Sequence, residues 1–112
     1  MPHLVVSYAK PLEKKIDIQN LVQEVWNGAD ESGLFTPPAI KARALPVEHF
    51  ITGGGDTLFV HVDFKLFVGR TDEQKQHMTK CVFDRIANLV DDDVAISILP
   101  IDMDTPNYLK RG

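Results

Sequence analysis

The chain has 112 residues and is 44% apolar, enough for one packed core and too apolar for a disordered segment. Its formal net charge of −4 argues against a nucleic-acid binder. No apolar run is long enough to cross a bilayer, and the first residues lack a basic stretch followed by an apolar core, so a cytoplasmic setting without a membrane partner is expected.

In chain order, Pro2 stands directly before "HLVVSYA" (residues 3–9), a short β-branched stretch that predicts a strand. The charged "KPLEKK" connects it to a helix. In "DIQNLVQEVWNGADESG", Ile18, Leu21, Val22, Val25, Trp26 and Ala29 recur at steps of three and four; Asp17 is a suitable N-cap and Gly33 a suitable stop. "LFTPP" breaks the chain. "AIKARALPV" predicts a second strand, with Ile40, Ala42 and Ala44 on one face and Lys41 and Arg43 on the other. "HFITGGGDT" reads as a mobile hairpin turn; it lacks the Gly-Lys-Ser/Thr ending of a phosphate loop. "LFVHVDFKLFVG" alternates most clearly, placing Leu58, Val60, Val62, Phe64 and Leu66 opposite Phe59, His61, Asp63, Lys65 and Phe67. Thr71 and Gln74 then form a capping-box pattern that opens a second helix, whose apolar stripe is Met78, Cys81, Val82, Ile86, Leu89 and Val90. "DDD" ends it, "VAISILPIDM" predicts a last strand, and the polar tail "DTPNYLKRG" is expected to be peripheral.

The order β-α-β, glycine turn, β-α-β reads as an internal repeat within one domain of residues 1–112, with halves of about 2–50 and 56–104. Each helix is long enough for a crossover between parallel strands. Two helices on one face of a four-stranded sheet leave the other face bare, and its Phe59, Phe67 and alternate residues of "AISILPI" make it partly apolar. An oligomer that buries this face is expected.

Cys81, the only cysteine, permits no internal disulfide and reads as a buried structural thiol. The four histidines are scattered; His61 and Asp63 share a strand face, but two ligands do not make a metal site. Lys41 and Arg43 lie two apart on one face, and Arg70 precedes a helix N-terminus, a place that favours anions. The bland reading of these three is solvated charge at an ordinary helix start. Pro2 carries a sharper possibility. Removal of Met1 leaves a secondary amine, whose basicity burial and nearby cations depress towards working pH, as general acid–base catalysis requires.

Together, Pro2 before a strand, the doubled β-α-β, the cations of the second strand and "GR" before the second helix resemble the tautomerase superfamily. Within it, "SGLFTPPAIKARA", "LFVHVDFKLFVGRTDEQKQ" and "IDMDTPNY" are similar to the 5-carboxymethyl-2-hydroxymuconate isomerase family over nearly the whole chain. The resemblance implies an α/β (α+β) tautomerase-like fold in a homotrimer, and an isomerase of homoprotocatechuate breakdown. That enzyme moves a proton along a conjugated, carboxylate-bearing 2-hydroxydienoate to give a 2-oxo-enoate, using neither metal nor organic cofactor. It further implies Pro2 as the base and Arg70 as the carboxylate-binding arginine. Lys41 stands where the family pattern I-R-x-R has arginine; it keeps the charge and loses the bidentate fork. Arg43 matches the second arginine, with a structural role as its alternative. Two competing readings stand beside this one. A related superfamily enzyme of hydratase, decarboxylase or dehalogenase type would draw on Asp63 or Tyr8. A non-enzymatic ferredoxin-like ligand-binding domain shares the element order.

Overall fold

A computed structural model describes residues 1–54 and 57–112; Gly55 and Asp56, part of the glycine turn, lie outside the described residues. Strand β1 (His3–Ala9) leads through a single-turn 3-10 segment at Lys10–Lys14 to helix α1 (Ile18–Glu31). A second 3-10 turn at Pro37–Ala39 precedes β2 (Lys41–Val47), which is followed by β3 (Phe59–Phe67), helix α2 (Asp72–Leu89) and β4 (Ala95–Met103). The boundaries follow local chemistry. The Asp17 carboxylate accepts from the Gln19 N–H, and Thr71 with Gln74 closes both bonds of a capping box. Gly33, at φ +74°, takes the left-handed conformation just past α1.

The sheet order is β2-β1-β3-β4. β1 and β2 run parallel, as do β3 and β4, each pair joined by its own helix as a crossover, while β1 and β3 meet antiparallel at the centre. Adjacent parallel pairs exclude the ferredoxin-like alternative, in which the strands of each unit are split apart. The order also corrects the expected hairpin. β2 is an edge strand and β3 lies beyond β1, so the glycine segment is a crossing connection rather than a tight turn between neighbours.

The two halves repeat at the level of single hydrogen bonds. The Lys41 N–H donates to the Pro2 carbonyl (3.1 Å), and the Ala95 N–H donates to the Leu58 carbonyl (2.9 Å). In each half, the residue just before the first strand is thus tied to the residue that opens the second.

Both helices pack on one face. Leu4 and Val6 of β1, Val60, Val62, Phe64 and Leu66 of β3, Leu21, Val25 and Ala29 of α1, and Met78, Val82 and Ile86 of α2 form a common buried core. Burying each large side chain there contributes roughly 1.5–3 kcal/mol. The helices touch closely at Gly28, where an added Cβ would stand 2.7 Å from the Val82 Cα. Arg85 bridges them at the surface, donating to Glu24 (3.3 Å) and Glu31 (2.7 Å). Cys81, expected to be buried, is only half-buried, because the side of α2 that faces the core is set by Met78, Val82 and Ile86.

The opposite face of the sheet carries no helix. It presents Leu45 and Leu99, each about half exposed at 53% and 51%, together with a polar network in which His61 bonds Asp63 (2.9 Å) and Ser97 (2.6 Å). The C-terminal tail is mostly exposed, as expected of a peripheral segment, with one residue that packs back. After a 3-10 turn at Thr105–Asn107, Tyr108 returns to this face, its ring edge-on to Phe67 and His3.

Candidate active site

Pro2 is buried at the mouth of β1, its carbonyl held by the Lys41 N–H (3.1 Å). Lys41 opens β2 in register with His3. Its position is fixed from behind by Trp26, whose indole N–H donates to the Ile40 carbonyl (3.1 Å). The Lys41 side chain lies over the terminus, with Nζ 3.4 Å from the Met1 sulfur.

Arg70 reaches the same end of the sheet from another element. Gly69, at φ +111°, makes the turn out of β3 that a residue with a Cβ resists, and Arg70 follows it just ahead of α2. Its guanidinium stacks over the Phe35 ring at 5.3 Å and donates through Nη2 to the Leu34 carbonyl at 2.6 Å. Phe35 in turn packs on Phe64 of the core. The segment after α1 is therefore the seat of Arg70. One N–H is spent on that seat, and a guanidinium carries five.

The electrostatics converge on the terminus. Burial holds the Met1 amine, one residue ahead of Pro2, below its ordinary value of 8.0, and Lys110, Arg70 and Lys41 push it in the same direction. Two of these cations, Lys41 and Arg70, are the ones that spacing had singled out. The third, Lys110, gave no sequence signal, because it belongs to a polar tail without periodicity. Arg43 is not part of this group of cations on the terminus. It lies one alternation further along β2, and its Nη1 donates to His3 Nδ1 (3.2 Å).

His3 links the two regions. Its Nε2 is 2.7 Å from the Tyr108 hydroxyl, and burial first, then Arg43, Lys41, the terminal amine and Lys65, depress its basicity. The remaining candidates lie elsewhere. Tyr8 is at the far end of β1, six residues or roughly 20 Å from Pro2 along an extended strand. Its hydroxyl is committed to Glu13 (2.5 Å) and its pKa is pushed up to about 12 by burial and that bond. Asp63 is engaged by His61 in the network on the uncovered face. No group of three potential metal-ligating side chains occurs among the described residues, and no helix there is long and apolar enough to cross a membrane.

A family model described as 5-carboxymethyl-2-hydroxymuconate isomerase matches residues 2–107. Comparison with curated proteins finds no significant match. Among solved structures, a 5-carboxymethyl-2-hydroxymuconate delta-isomerase superposes with a TM-score of 0.85 at 19% identity, covering 100% of this chain and 89% of the other. A 5-carboxymethyl-2-hydroxymuconate isomerase from Deinococcus radiodurans R1 gives 0.79 at 22%, covering 98% and 88%. A fused 4-OT symmetric trimer gives 0.71 at 20%, covering 90% and 86%. At these identities the superpositions show the fold, which is the one expected from the sequence resemblance.

Proposed function

Since the chain belongs to the 5-carboxymethyl-2-hydroxymuconate isomerase family, we propose that this isomerase moves a proton within a carboxylate-bearing 2-hydroxydienoate, with the Pro2 nitrogen, freed by removal of Met1, as general base. The observation that carries the reading is the burial of Pro2 at an end of the sheet where Lys110, Arg70 and Lys41 all depress the basicity of the Met1 amine, a positive field that a freed Pro2 nitrogen one residue on would share. A neutral amine at working pH is what proton abstraction needs.

In the proposed step the O–H bond of the 2-hydroxy group breaks and its proton passes to the proline nitrogen. The electron pair forms the C2 carbonyl and shifts the double bonds. Proline then gives a proton to a carbon further along the chain, forming a C–H bond. The substrate gains and loses one proton, no net oxidation occurs, and the product is the 2-oxo-enoate. Negative charge spreads over the dienolate between the two transfers. The free N–H groups of Arg70 suit a carboxylate held as a two-pronged pair, and Lys41 adds a point charge. Arg43, turned towards His3, serves the site indirectly or binds a part of the substrate remote from the reacting carbons.

We further propose a homotrimer that covers the helix-free face of the sheet; the 4-OT neighbour is described as a trimer, and the half-exposed Leu45 and Leu99 gain from burial. The reaction is tested on purified protein whose intact mass reports the state of Met1, following ketonisation of 2-hydroxymuconate-type dienols by ultraviolet absorbance. Turnover is expected from the processed chain and a loss of orders of magnitude in Pro2→Ala. Undiminished turnover in Pro2→Ala would remove Pro2 as the base.

A further inference from the structure

Setting aside Tyr8, Ser32 carries the one buried polar side chain among the described residues, 7% exposed at the end of α1. Taking a hydroxyl out of water costs free energy unless its bonds are remade. Ser32 remakes two. Its hydroxyl donates back to the Ala29 carbonyl at 2.6 Å, and its oxygen accepts forward from the Leu34 N–H at 3.3 Å. The backward bond belongs to the helix end. The forward bond does not: it spans Gly33, whose left-handed φ of +74° turns the chain, and fixes the residue beyond. That residue, Leu34, is the one whose carbonyl accepts from Arg70 Nη2 at 2.6 Å. Leu34 is thus held at its N–H by Ser32 and holds Arg70 at its carbonyl.

A second element closes the circuit. His77, in the second turn of α2, stands with Nε2 3.2 Å from the Ser32 carbonyl; a carbonyl only accepts, so Nε2 carries the hydrogen. The same nitrogen is 3.9 Å from Cys81 Sγ. α2 begins at Asp72, just after Arg70. The path from Arg70 through Leu34 and Ser32 to His77 therefore returns to the element that Arg70 introduces, and residues 70–77 are tied at both ends to residues 32–34. Phe35, next along, carries the guanidinium on its ring at 5.3 Å and is itself packed on Phe64. A guanidinium meets a carboxylate as a planar fork, so the angle at which this seat holds it matters.

We infer that Ser32, steadied by His77, is a positioning residue for Arg70: it sets the Leu34 carbonyl and the Phe35 ring so that the remaining N–H groups of the guanidinium meet the carboxylate of the substrate, which for the nature of that substrate rests on the isomerase reading above. Ser32 touches no substrate and moves no proton. Its hydroxyl acts on binding, through the backbone of Leu34 and the side chain of Arg70.

The test begins with Ser32→Ala, which removes the forward bond and leaves the Gly33 turn. Calorimetric titration of the assembled protein with sorbate, a non-reactive conjugated carboxylate, is expected to show binding about threefold to tenfold weaker than in the wild type, the scale of one neutral hydrogen bond. In turnover the same factor is expected in KM for a 2-hydroxydienoate, while kcat changes by less. A merely structural role would add its effect to that of any other substitution, whereas a positioning role vanishes with the group it positions. In an Arg70→Lys background, Ser32→Ala is therefore expected to weaken sorbate no further. His77→Ala, at an exposed ring, is expected to weaken sorbate in the same direction and to lose that effect in the same background, which keeps the test open should Ser32→Ala fail to fold. Absence of sorbate binding to the wild type, binding as tight as the wild type in the variants that fold, or an undiminished effect in the Arg70→Lys background would overturn the inference. Coupling of these positions to Arg70 in a protein that isomerises no dienol would instead uphold the positioning and remove the reaction assigned to the site.

Discussion

Replacing Gly28 by alanine tests the packing that holds the two crossover helices together. The new Cβ would meet the Val82 Cα at 2.7 Å and the Cys81 carbonyl oxygen at 3.0 Å, where carbon atoms pack best at about 3.5–4.0 Å. Relief requires roughly 1 Å of movement, and backbone atoms cannot rotate away as a side-chain end can. The helices must therefore separate, loosening Val25, Ala29, Met78 and Ile86, all fully buried. Alanine gains about 1 kcal/mol of helix propensity over glycine, and overpacking costs typically 1–3 kcal/mol. A clash with backbone atoms falls in the upper part of that range, about 2–3 kcal/mol, so the net expectation is a loss of about 1–2 kcal/mol, or a melting temperature lower by several degrees. Urea unfolding at one fixed protein concentration measures it, since assembly would otherwise shift the midpoint. Trimming the neighbour discriminates further: because the obstacle is the Val82 backbone, Val82→Ala should not rescue Gly28→Ala. A variant as stable as the wild type, or one rescued by Val82→Ala, would refute the close helix contact.

Further outcomes follow from the geometry. If the freed Pro2 amine is the base, Lys110→Ala and Lys41→Ala each move the acidic limb of kcat/KM upward, because both cations lower the basicity of the amine at this end of the chain; no movement in either variant would contradict the electrostatic account. Tyr8 retains its proton in the fold, so stability is full below its ordinary value of 10.0 and declines as pH rises from there towards about 12. Glu13→Gln should lower the Tyr8 titration, read by phenolate absorbance in a Tyr108→Phe background. Arg70→Lys keeps the charge but cannot both stack on Phe35 and bond Leu34 as a guanidinium does, and a rise in substrate KM is expected in steady-state kinetics. Arg85→Ala removes two surface ion pairs and is expected to move the chemical-denaturation midpoint only slightly, and less in high salt.

Most of the fold was written in local patterns. The alternation of β3 fixes its buried face through Val60, Val62, Phe64 and Leu66, and the capping box marks the start of α2 at the residue. Helix-linked parallel pairs followed from crossover length. The position of β2 at the outer edge did not, because no residue pattern distinguishes a tight hairpin from a connection that passes over β1. Of the site, Pro2, Lys41 and Arg70 could be picked out by residue type and placement beside strand and helix starts. The placement of Tyr108 and Lys110 could not: it comes from one turn that brings the tail back to a residue 105 positions earlier, and a single long-range bond leaves no periodicity. Arg43 was grouped with Lys41 by strand alternation, yet its side chain turns to His3 while that of Lys41 lies over the terminus.

The paired bonds from Lys41 to Pro2 and from Ala95 to Leu58 bear on stoichiometry. The repeat offers two equivalent corners per chain, but the second is occupied by Leu58, whose nitrogen is a peptide amide behind Thr57 and has no lone pair to lend. With Met1 removed and Pro2 as the base, the two frames would hold one reactive corner. A reagent directed at the terminal amine should label a single equivalent per chain, so an assembled trimer would saturate at three rather than six.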